Sequence, residues 1–77
     1  MSVDLQLHEL VKFQLRAKGS SLAAVAKGVG VLQSSVTVVS QGYRRSRRIE
    51  AAIARELGTT PQELYPKRYS REEENAD

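Results

Sequence analysis

SLAAVAKGVGVLQSSVTVVSQ, residues 21–41, reads as two short helices joined by a tight turn at Val29-Gly30-Val31. Leu22, Val25, Ala26 and Val29 recur at 3, 4 and 7 residue spacings and fall on one helical face. Gly30 stands where the chain must reverse, and glycine takes positive φ at little steric cost. Val36 and Val39 face inward from a second helix that begins near Gln33. Ala26 is small where the two helices would cross. A small residue, a glycine four later, then apolar residues six and nine beyond that glycine is the spacing of a helix-turn-helix.

Local propensity disagrees over Ser34 to Ser40, SSVTVVS, because valine, threonine and serine favour strands. Read alone, the segment is an edge strand and the protein a small ribbon-type DNA binder. Helix is the expectation. Val36 and Val39 keep the three-residue step that buries one face, whereas a strand burying Val36 and Val38 would turn Val39 outward.

The flanks supply the remaining helices. Asp4 caps a first helix that runs through Lys18, with Leu7, Leu10, Val11 and Leu15 as its apolar stripe. Phe13 lies off the centre of that stripe, either plugging the core from the side or standing half exposed. His8 has no sequence partner for chemistry and reads as a surface or hydrogen-bonded histidine. Ser21 caps the next helix. Past Gln41-Gly42, Tyr43 begins a loop that runs into RRSRR, Arg44 to Arg48. Ser46 caps a fourth helix whose face is Ile49, Ala52, Ile53 and Leu57, and Gly58 stops it. Thr60-Pro61-Gln62-Glu63 starts a short helix carrying Leu64 and Tyr65 inward and ending at Pro66. Lys67-Arg68-Tyr69 reads as an exit strap.

At these residues the chain resembles the lambda-repressor-like helix-turn-helix family. Ala26-xxx-Gly30, Gln33-Ser34-Ser35-Val36 and the following Gly42 carry the likeness. Ile49 to Tyr69, IEAAIARELGTTPQELYPKRY, is similar to one branch, the small Ner-type regulators of Mu-like transposable phages and their bacterial Nlp relatives. The resemblance spans roughly residues 5 to 69 and implies an all-α, four- to five-helix DNA-binding domain. It further implies a transcriptional regulator, a repressor of phage or prophage type acting by occlusion of a promoter. In that family a glutamine and a serine at the positions of Gln33 and Ser34 contact bases. Relatives often carry a second glutamine at the start of the preceding helix, where this chain has Leu22.

Composition narrows the functional classes. Seventy-seven residues bury a modest core, and a large enclosed active site is not expected. The absence of cysteine excludes disulfides and thiolate metal sites, and one histidine excludes a multi-histidine site. No apolar run is long enough for a signal peptide or a membrane span. Residues 1–69 hold 11 Lys/Arg against 5 Asp/Glu, a net +6, while residues 70–77 carry a net −3. The expected division is a helix-turn-helix domain over 1–69 and a disordered acidic tail over 70–77. A basic compact domain favours a polyanion partner. Ser20 and Ser21 have no neighbouring base, the phosphate-binding G-x-x-x-x-G-K pattern is absent, and the expectation is no enzyme and no cofactor.

The second helix of a helix-turn-helix lies in the DNA major groove with its N-terminal residues at the base edges. Gln33 is best placed, because its amide donates and accepts together and matches adenine N6 and N7. Ser34, Thr37 and Val38 complete the base-contact candidates, and a thymine methyl would give Val38 an apolar partner. Arg44, Arg45, Arg47 and Arg48 are phosphate candidates, since guanidinium forks suit phosphate oxygens. Arg47 and Arg48 stand in a first helical turn, where the dipole disfavours cations, so stability does not explain them. Gln41 and Tyr43 are further phosphate candidates, with Lys27 and Lys18 weaker. The expected partner is double-stranded DNA, in the cytoplasm and at the nucleoid, without a membrane role. The chain offers no spare dimerisation helix, so a monomer that pairs on DNA is expected. Two rivals are a protein-interaction module, such as an antitoxin-like or recombination accessory factor, and a nonspecific basic binder that needs the arginines but not Gln33.

Overall fold

Single side chains write most of the helix starts. Asp4 accepts from the Leu7 N–H at 3.0 Å and opens α1, Leu5–Ala17. Ser21 accepts from Ala24 at 3.0 Å and opens α2, Leu22–Val29. Ser46 accepts from Ile49 at 3.2 Å ahead of α4, Arg47–Glu56. Thr60 accepts from Glu63 at 3.2 Å ahead of α5, Pro61–Leu64, and donates its hydroxyl back to the Glu63 carboxylate. Between α2 and α4 lies α3, Gln33–Gln41, whose N-cap is Leu32 and which no side chain caps. The computed structural model describes residues 3–69, and over them all regular structure is helical, ending in a short helical turn at 66–69. The acidic tail expected over 70–77 lies outside the described residues.

α2 and α3 meet at 116°, within the range of a helix-turn-helix. Gly30 makes the turn at φ 85°, and its N–H bonds Ala26 O at 2.8 Å. Gly42 closes α3 in the same left-handed conformation, at φ 97°. SSVTVVS is therefore helical, and Val36 and Val39 have no exposed surface. Burying each valine is worth about 1.5–3 kcal/mol, more than the few tenths by which helix propensity penalises it. They pack with Val11, Leu15, Leu22, Val25, Ala26, Ile49 and Ile53 in one core, which Leu7, Ala52, Leu57 and Leu64 cover from the side. No single helix among the described residues is long and apolar enough to cross a membrane.

Two expectations are corrected. Leu10 does not join the inward stripe of α1; it is 48% exposed, and His8 is buried. His8, Val11 and Leu15 share the inner face because the Ser40 hydroxyl on α3 shares a hydrogen bond of 2.7 Å with His8 Nδ1. Desolvation, and next the charge of Lys12, lower the His8 pKa below 6.5, which favours the neutral ring. Phe13 does not plug the core and stays 63% exposed. The second correction is at the C-terminal end. Pro66 does not release the chain as an outer strap; the turn at 66–69 carries Arg68 and Tyr69 inward.

Candidate nucleic-acid interface

The C-terminal end of α3 is held from three directions. Asp4 N–H donates to Gln41 O at 3.0 Å, His8 meets Ser40, and Arg68 donates to Val39 O at 2.8 Å and Ser40 O at 2.9 Å. A cation on the last carbonyls of a helix also suits its dipole. Arg68 is only 5% exposed, and Glu50 on α4, with no exposed surface, takes its Nη1 at 3.3 Å. The same carboxylate accepts from Arg45 Nε at 3.0 Å and from the Tyr69 hydroxyl at 2.6 Å. Arg68 stacks 3.9 Å over the Tyr65 ring, and Arg45 lies 5.1 Å over that of Tyr69. This buried network ties α3, α4 and the closing turn together and sets the pose of α3.

Burial, foremost, raises the pKa of Tyr65 and of Tyr69 from 10.0 to about 12; for Tyr69 the Glu50 carboxylate adds to it. Both phenols favour the neutral form in the fold. Their contribution to stability is fully present below pH 10 and is lost as the pH rises towards 12. Absorbance titration should show two tyrosines ionising late, near pH 12 or as the domain unfolds, with the melting temperature falling across the same interval. Ionisation of all three tyrosines near pH 10 in a folded chain would contradict the buried network.

At its other end α3 is open. Gln33 and Ser34 are exposed, and Thr37 is half-buried, its hydroxyl donating to Gln33 O at 3.0 Å. Val38 and Gln41 are half-buried. Gln33 borders a cleft of about 180 Å³ with Lys12 and Arg16 of α1 and with Ser20, Ser21 and Ala23 at the start of α2. Beside the helix-turn-helix turn, Arg48 donates to Val29 O at 2.8 Å while remaining exposed. Gln33 thus shares a cleft with the α1 cations and follows in the chain the turn that Arg48 braces. Lys12 also pairs with Glu9 at 3.0 Å.

All four arginines of the loop are exposed, Arg45 with 41% of its side chain. Arg44, Arg47 and Arg48 are exposed at the start of α4, as are Tyr43, at 53%, and Lys27 in the last turn of α2. Arg45 is in addition tied into the fold. Its Nε and Nη2 donate to Glu50 and its Nη1 to Arg68 O at 3.0 Å, so its guanidinium braces the fold. Sequence reasoning missed Lys12 and Arg16. Their four-residue spacing puts them on one face of α1, but only the packing of α1 brings that face beside Gln33.

A model of the winged helix-turn-helix DNA-binding family matches residues 6–77, and the chain belongs to that family. Duplex DNA is accordingly its partner. No curated protein and no solved structure matches the chain. Over the described residues no strand forms, so residues 3–69 hold no β-hairpin that would correspond to a wing.

Proposed function

We propose that this domain binds a specific duplex sequence and represses transcription by occluding a promoter, in the manner of the Ner- and Nlp-type regulators it resembles. One observation carries the reading. Gln33 is exposed at the open end of an otherwise clamped α3, with Lys12 and Arg16 lining the cleft beside it. α3 would lie in the major groove, with Gln33 and Ser34 at base edges and Thr37 and Val38 further along. Arg44, Arg47, Arg48, Lys12, Arg16 and Lys27 would meet phosphates on its flanks, with Tyr43 and Gln41 at the far end. One domain reaches few bases, so two monomers would pair on a repeated or palindromic site.

Fluorescence anisotropy with random-sequence duplex at low and moderate salt tests this reading. Binding should weaken steeply with salt. Arg44→Ala, Arg47→Ala and Arg48→Ala should each weaken binding to every duplex and reduce the salt slope by about 0.9 for each phosphate no longer neutralised. Arg45→Ala should instead lower the melting temperature. Absence of binding at low salt and tens of micromolar protein would refute the proposal. A protein-interaction role would then stand first, on the exposed Leu5, Leu10 and Phe13 of α1, which are 50%, 48% and 63% exposed.

A further inference from the structure

Leu32 is 74% exposed, more than any other large apolar side chain among the described residues, and it belongs to no part of the core. A lone exposed leucine ordinarily needs no explanation. This one stands at the N-cap of α3, directly before Gln33. Its carbonyl starts the helix by accepting from Ser35 at 3.0 Å and Val36 at 3.4 Å, while its side chain caps nothing. Asp4, Ser21, Ser46 and Thr60 show what a stabilising residue does at such a position. Leucine therefore forgoes a cap and exposes apolar surface at the same point. Neither helix stability nor core packing accounts for it, whereas an apolar group on a ligand at the head of α3 does.

We infer that Leu32 is a specificity-determining residue that packs on the C5-methyl of a thymine neighbouring the base met by Gln33. This rests on the placement of α3 in the major groove proposed above. The thymine methyl is the apolar group that base pairs present there. Leu32 would thus favour thymine at one position through an apolar contact, beside the hydrogen-bond reading by Gln33.

The test uses a preferred duplex selected from a random pool by the wild-type chain. Thymines in it are replaced one at a time by deoxyuridine, which removes only the methyl. At one position the wild type should lose about fourfold in affinity, the worth of a single buried methyl. Leu32→Ala and Leu32→Ser should bind the preferred duplex about tenfold more weakly, keep their affinity for random duplex, and be indifferent to the deoxyuridine at that position. Leu32→Ser should also melt about 4–8 °C higher, because it supplies the missing cap. Variants that bind the preferred duplex like the wild type, or that lose as much as it does on deoxyuridine substitution, would overturn the inference while leaving sequence-specific binding in place. A wild type that selects no sequence at all would overturn both.

Discussion

Replacing Glu50 with alanine is expected to lower the unfolding free energy by about 3–5 kcal/mol, the usual penalty for removing one partner of a buried ion pair. Glu50 has no exposed surface and accepts from Arg45, Arg68 and Tyr69. Its removal leaves the Arg68 guanidinium buried with only backbone carbonyls as acceptors. For a domain of this size each kcal/mol corresponds to a drop of about 4–8 °C in melting temperature, so the variant should melt roughly 12–40 °C lower. Circular dichroism against temperature reads the effect directly. The double variant Glu50→Ala/Arg68→Met should recover part of the stability, since the stranded charge is gone. A single variant that melts within a few degrees of the wild type would mean that water, not Glu50, satisfies Arg68. Because Arg68 also holds Val39 O and Ser40 O, the single variant should loosen the end of α3. DNA affinity should then fall even at temperatures where most of the protein remains folded.

Gln33→Ala should behave in the opposite manner. Gln33 is exposed and its side chain supports no other element, so the melting temperature should be unchanged. Affinity for the preferred duplex should fall by about 1–3 kcal/mol, as expected when a bidentate hydrogen bond to a base is removed, with random-sequence binding retained. This variant separates base reading from a nonspecific basic surface. Equal affinity of wild type and variant for all duplexes would leave only the phosphate contacts. The pairing of a stability variant that harms binding indirectly with a binding variant that leaves stability intact distinguishes the two ends of α3.

What could be read residue by residue was local chemistry. Asp4, Ser21, Ser46 and Thr60 announce helix starts because a cap needs only a side-chain oxygen two or three residues from a free N–H. Gly30 and Gly42 announce helix ends because only the local backbone decides where positive φ is tolerated. The valine step of three in α3 correctly outweighed strand propensity, since burial of a face is already encoded in spacing. The open end of α3 was legible for the same reason: Gln33 and Ser34 follow the turn immediately.

Contacts between distant segments were not legible. Glu50 and Arg68 are 18 residues apart, and nothing in either neighbourhood marks them as a buried pair. An RRSRR run reads as uniform charge, yet among its four exposed arginines packing ties Arg45 to Glu50 and Arg68 O, and Arg48 to Val29 O. His8 outcompeted Leu10 for the inner face of α1 because Ser40, 32 residues away, could satisfy its ring. Lys12 and Arg16 became neighbours of Gln33 only when α1 packed beside the start of α2. The five helices, their ends and the class of motif thus follow from residue order alone, because they depend on hydrogen bonds and periodicities that close within a few residues. Which charges brace the fold was settled by packing, because charges such as Glu50 and Arg68 enter the interior only where a partner from elsewhere in the chain offsets their desolvation.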